Sequence, residues 1–206
     1  SFNNKNVGTA KPVSLSGLSL TGADAANYTL SVPSYSADIT PVTLNLRGLT
    51  AQSRTYDGTT NATVTGTASV LALGFDFVPV VGSPVARFGD KNVGTGKGVT
   101  VTGLSLSGPD AGNYILNSSN LTANITPLSI SVSGLTGGSK VYDGGLSAPL
   151  SGTPQVNVLA GDSASINFGA STATFANKNV GTNKAITVNG EVLTGPDAAN
   201  YTLQTP

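Results

Sequence analysis

Phe88-Gly89-Asp90-Lys91-Asn92-Val93-Gly94-Thr95 opens the stretch FGDKNVGTGKGVTVTGLSLSGPDAGNYIL, which runs to Leu116 and decides how the chain is organised. Its first eight residues recur as FNNKNVGT from Phe2 and FANKNVGT from Phe175, 86 residues earlier and 87 later. Its last nine return in the same register as GADAANYTL from Gly22 and GPDAANYTL from Gly195. Outside the stretch, TYDG at Thr55 is answered by VYDG at Val141, and DITPVTLNLRGL from Asp38 by NITPLSISVSGL from Asn124. A period of about 86 residues is far longer than a solenoid repeat and matches a small domain in tandem. The expected division is 1–42, the C-terminal part of a first repeat; 43–128, a complete second repeat; and 129–206, a third repeat lacking its last strand. Each repeat is expected to bury its own core.

Within a repeat, apolar residues alternate with small polar ones, as in Leu44-Asn45-Leu46, Ala62-Thr63-Val64 and Val99-Thr100-Val101. That is the period of a half-buried strand, and no window carries the i, i+3, i+4 spacing of an amphipathic helix. The phase slips where Gly103 separates Val101 from Leu104, and again where Gly17 separates Leu15 from Leu18, which suggests a bulge or bend. The expected fold class is all-β: tandem immunoglobulin-like β-sandwich repeats of about 86 residues.

Composition removes most chemistry. The 206 residues hold ten Lys and Arg, ten Asp and Glu, and no His, Cys, Met or Trp, so histidine acid–base work, thiol chemistry and His/Cys metal centres are excluded. Net charge is zero without basic runs, so neither nucleic acid nor an anionic membrane is an expected partner. No apolar stretch reaches the ~18 residues of a membrane helix, and any targeting signal is expected to lie outside this stretch. No cofactor is implied. The acidic residues include a single Glu, Glu191, and no two carboxylates recur in one short motif as an acid–base pair would, so no catalytic residue is assigned.

Three motifs are read as framework. In D-x-[AG]-x-Y-x-L, Asp24, Asp110 and Asp197 precede Tyr28, Tyr114 and Tyr201 by four residues. The spacing suggests a tyrosine corner, whose hydroxyl closes a turn ahead of an inner strand. KNVGT supplies turn residues behind Phe2, Phe88 and Phe175, which are expected to anchor it in the core. In YDG, Asp57-Gly58 and Asp143-Gly144 are turn chemistry, with Tyr56 and Tyr142 half buried. Lys91, Asp110 and Asn113 recur once per repeat and could form an isopeptide crosslink, against the plainer reading of a surface Lys and turn-capping residues. Phe75, Phe77, Val78, Val80 and Val81 form a candidate binding patch, although a pair of core strands explains them better.

YDGTT, the KNVGTGK-containing stretch through DAGNY, and ANITP together resemble the YDG-type repeat domains of filamentous-haemagglutinin-like bacterial surface adhesins. The likeness covers nearly the whole chain, although residues 141–145 read VYDGG. It implies secretion to the bacterial cell surface, an adhesive or stalk role, and no enzymatic activity. The expectation is a stalk repeat presenting a distal binding region, with neighbouring repeats of the same polypeptide as partners. The alternative is an adhesive module that holds a host or matrix glycan or protein through variable loops. The tandem reading further predicts a rod-like molecule and head-to-tail association through unpaired strand edges at incomplete terminal repeats.

Overall fold

A computed structural model describes residues 1–118 and 120–204. The described chain is all-β: its strands are interrupted by three short 3-10 turns, Ala25–Asn27, Ala111–Asn113 and Ala198–Asn200, one in each D-x-[AG]-x-Y motif. Among the described residues no helix is long and apolar enough to cross a membrane.

The compact units differ from the sequence repeats. The first draws on residues 1–50, 64–86 and 100–121, and the second on 51–63, 87–99 and everything from Thr122 onward. Each therefore combines pieces of successive repeats. Strands Val80–Phe88 and Gly94–Leu106 give residues to both. The expectation that each repeat closes on its own core does not describe this arrangement. An important reason is Tyr56, a second-repeat residue whose ring is buried edge-on against Tyr201 of the third, with centroids 5.5 Å apart. Burying an aromatic of this size is worth about 2 kcal/mol, and residues of the third repeat take part in burying this one.

In the first unit, Gly8–Val13 runs antiparallel to Tyr35–Ile39, and Val42–Asn45 runs parallel to Tyr114–Asn117 with Leu44 opposite Leu116. Its core gathers Leu44, Val78 and Tyr114, with Val70, Ala72, Leu106 and Ala111 packed against them. In the second unit the parallel pairing returns, Leu128–Ile130 against Tyr201–Leu203. Val132–Gly137 there pairs antiparallel with Leu150–Val156, its register slipping between Ser133 and Leu135.

The apolar alternation has its expected effect: Leu44, Leu46, Val99 and Val101 are buried while Asn45 and Thr100 face solvent. The three phenylalanines behave differently from one another. Phe88 is buried, with the Arg54 guanidinium 5.4 Å from its ring centre, whereas Phe2 is exposed and Phe175 half-buried. Only the central copy anchors its loop in a core. The stretch read as a pair of core strands is a loop through Leu71–Pro79, and strand begins only at Val80. Val78 turns into the core, Phe75 and Phe77 project into solvent, and Val80 and Val81 open the following strand.

Candidate functional site

The same polar contact is built once in each unit. Asp197 and Asn200 sit at either end of the 3-10 turn Ala198–Asn200, which closes through Asn200 N–H to Asp197 carbonyl (3.0 Å) and delivers Tyr201 in extended conformation. The Asp197 carboxylate accepts from Ser163 N–H (2.8 Å), and the Tyr201 hydroxyl accepts from Leu159 N–H (3.0 Å). Both bonds fix the loop that carries Asp162. That carboxylate is only 2% exposed and accepts from the hydroxyls of Tyr201 (2.6 Å) and Tyr56 (2.7 Å).

The KNVGT loop closes the site. Lys91 pairs with Asp162 and lies 3.4 Å from Asp197, its ammonium 5.9 Å from the centre of the Tyr56 ring. Next to it, the Asn200 side chain accepts from Val93 N–H (2.9 Å) and donates to Asn92 Oδ1 (3.2 Å). One amide thus reads two consecutive residues of the loop.

The first unit repeats this with the preceding copies. Lys5 pairs with Asp76 and Asp110 (2.7 Å to the latter), the Asn113 side chain accepts from Val7 N–H (2.8 Å), and the Tyr114 hydroxyl donates to Asp76 (2.8 Å) while accepting from Leu73 N–H (3.2 Å). Asp110 also accepts from Phe77 N–H (3.0 Å). The tyrosine hydroxyl therefore does not close its own turn, as a tyrosine corner would. It holds a loop some forty residues upstream. Lys5 keeps 61% of its side chain in solvent, against 33% for Lys91.

Charge settles the chemistry of these pairs. Burial opposes ionisation of Asp162, but hydrogen bonds from Lys91, Tyr201 and Tyr56 outweigh it and hold the carboxyl at about 2. Burial, then the bond to Asp162, pushes the Tyr201 hydroxyl up to about 12. The bonds to Asp162 and Tyr56 raise Lys91, and those to Asp110 and Asp76 raise Lys5. Ammonium and carboxylate are both charged, the state of an ion pair rather than of an amine ready to attack a carboxyl. The recurring Lys, Asp and Asn are also not partners within one repeat: Lys91 meets Asp162 and Asp197, while Asp110 and Asn113 meet Lys5 and Val7.

Two carboxylates do meet in each unit, Asp76 with Asp110 and Asp162 with Asp197, but one lysine bridges both members of each pair. Among the described residues no group of three or more acidic side chains gathers as a metal site requires. Asp76 and Asp162 escaped the motif reading, because the stretch around them diverges between repeats. The signal available was Leu-x-x-Asp, at Leu73 to Asp76 and again at Leu159 to Asp162. The YDG aspartates shape turns: Asp57 accepts from Thr59 N–H and Asp143 from Gly145 N–H, each at 2.8 Å. Of the two tyrosines ahead of them, Tyr56 is buried in the contact and Tyr142 is exposed.

Tyr201→Phe is expected to lower stability by about 1–2 kcal/mol, because it removes a bond to a buried carboxylate and strands the Leu159 N–H. Urea unfolding should show the loss, with Tyr114→Phe changing the midpoint in the same direction by less, since Asp76 is more exposed than Asp162.

A family model described as YDG domain matches residues 1–37, 40–122 and 126–206. Searches of curated proteins and of solved structures find no match to the chain.

Proposed function

The chain belongs to the YDG domain family, and from that premise we propose that it is a structural stalk segment of a large secreted bacterial surface adhesin of the filamentous-haemagglutinin-like kind. Its repeats are immunoglobulin-like sandwiches in tandem that carry a distal binding region. The observation behind this reading is where the recurrent polar residues go. Lys5 and Lys91, with Asp110, Asn113, Asp197 and Asn200, are spent on joining one repeat to the next instead of lining an open cleft. Such a contact resists separation of neighbouring repeats, which is the task of a stalk. Enzymatic activity has no part in it.

One observation favours the adhesive alternative. Phe75 is fully exposed, and Leu71, Leu73 and Phe77 beside it are largely so. Clustered apolar side chains on a loop offer a grip on a glycan or protein surface. Glycan arrays and host-cell binding with the chain separate the two readings. A stalk retains no ligand, whereas saturable binding that Phe75→Ser abolishes would replace the stalk by the adhesive module.

A further inference from the structure

Parallel pairing joins the start of a repeat to a strand late in the same repeat. Val42–Asn45 stands at the start of the second repeat and pairs with Tyr114–Asn117, 72 residues onward. Leu128–Ile130 stands at the start of the third and pairs in the same sense with Tyr201–Leu203. Each ladder gains one more bond at its C-terminal end: Leu46 N–H donates to the Asn117 carbonyl (3.0 Å) and Gln204 N–H to the Ile130 carbonyl (2.8 Å). In the second repeat the Asn117 side chain also donates to that of Asn45 (2.9 Å).

Strand direction decides how such a pair answers a pull. Tension along the chain draws the early strand by its N-terminal end and the late strand by its C-terminal end. Parallel strands drawn that way must slide past each other, so all the evenly spaced bonds of the ladder carry load at once. An antiparallel pair drawn by the same two ends is pulled from one side, and its bonds open one after another. The antiparallel pairs Val132–Gly137 with Leu150–Val156 and Thr172–Phe175 with Ile186–Asn189 lie, in chain order, between the two parallel strands of the third repeat. They bear no load while the parallel pair holds. Sliding is opposed from the core as well, because Leu44, Tyr114, Ile130 and Tyr201 on the four strands are all buried. The late strands are pinned besides through their tyrosines, Tyr114 to Asp76 and Leu73 N–H, and Tyr201 to Asp162 and Leu159 N–H.

We propose that these parallel pairs are force-bearing clamps, Val42–Asn45 with Tyr114–Asn117 and Leu128–Ile130 with Tyr201–Leu203. Each grips its repeat near both ends, carries tension along the polypeptide in shear, and shields the chain it encloses until the ladder parts. Resistance to force is a rate property, set by the barrier to unfolding along the pulling direction and not by equilibrium stability alone. The same pair is therefore strong along the chain and weak when its strands are peeled apart. The inference deepens the stalk reading, since a tether between a surface and a distal binding region has to carry tension. The two fail separately: a ligand that replaces the stalk by an adhesive module leaves the clamps as they are, and loss of the clamps leaves the stalk reading to its own test.

Single-molecule pulling along chosen directions tests it. The chain has no Cys, so a pair of introduced cysteines fixes the two points of attachment. Thr40, Arg47, Gly112 and Asn120 are exposed and flank the ends of the pair in the second repeat, and a Cβ at Gly112 meets nothing within 4 Å. Thr40→Cys with Asn120→Cys loads the pair in shear. Thr40→Cys with Gly112→Cys peels it from its N-terminal end, and Arg47→Cys with Asn120→Cys peels it from its C-terminal end. At one loading rate the first chain should unfold at a force severalfold higher than either of the others. Urea midpoints should match the wild type in all of them, which separates a difference in direction from a fault in folding. Equal unfolding forces in the three directions overturn the proposal, and so does a peeling force above the shearing one.

Discussion

Asp162→Ala should cost the second unit about 3–5 kcal/mol, the range for removing one partner of a buried, hydrogen-bonded charge pair. Three donors converge on this carboxylate, Lys91, Tyr56 and Tyr201. Lys91 can turn to water because a third of its side chain is already exposed, but Tyr56 is 2% exposed and its hydroxyl would be stranded. Small domains are stable by about 5–15 kcal/mol, so the variant would sit close to unfolding. Urea denaturation read by tyrosine fluorescence gives the total, the chain having no Trp. Amide hydrogen exchange places the loss: faster exchange should centre on Leu159 and Val93, with the first unit keeping its protection. Asp162→Asn, which still accepts from the two tyrosines, should recover part of the loss. A variant as stable as the wild type would mean that the contact holds nothing together.

The same residue sets an acid limit. Its folded carboxyl lies at about 2 against an ordinary value of 3.8, so the ionised form is preferred in the folded chain. A depressed folded pKa contributes stability that is fully present above about pH 4 and is lost as pH falls through 2. The difference amounts to on the order of 2 kcal/mol. Acid titration should therefore weaken the wild-type chain in that window and the Asp162→Asn variant much less.

How far this contact can be read from sequence depends on which part is asked for. All-β character is legible in the alternation of Leu44-Asn45-Leu46 and Val99-Thr100-Val101, since a two-residue period places every second side chain on one face. Recurrence likewise marks Asp110, Asp197, Tyr114 and Tyr201 as residues every repeat needs. It does not tell which copies meet. Lys91 reaches Asp162 71 residues onward, and Val93 reaches Asn200 107 residues onward, distances on either side of the period. A period identifies equivalent residues, and equivalence is the same whether a lysine pairs within its own repeat or with the next. The compact units are hidden for that reason. Tyr56 and Tyr142 illustrate it: they stand in nearly the same motif, yet one is buried and the other exposed, and nothing local to either distinguishes them.

Gly103→Ala is the second change expected to be severe, and it follows from the phase slip at this residue. Gly103 lies inside strand Gly94–Leu106 at φ +80°, and a Cβ there would stand 2.4 Å from the Ser83 carbonyl oxygen. Across from it Gly82 has φ +107°, with a Cβ position 2.2 Å from the Gly103 carbonyl oxygen. The two backbones touch where side chains would be, and the same reciprocal approach recurs between Gly48 and Gly66 and between Gly134 and Gly152. Left-handed backbone costs a residue with a Cβ about 1–2 kcal/mol, and displacing a packed neighbour costs about 1–3 kcal/mol more. Because the obstacle is backbone and not the end of a flexible side chain, no rotamer change relieves it. Gly103→Ala should therefore destabilise the first unit by about 3 kcal/mol. Gly17 provides the comparison, holding the equivalent position in the first repeat at φ +77° with open space around its Cβ position. Gly17→Ala should cost the backbone strain alone, about 1 kcal/mol. Equal losses from the two variants in urea unfolding would show that strain, and not the crossing of the strands, requires glycine here.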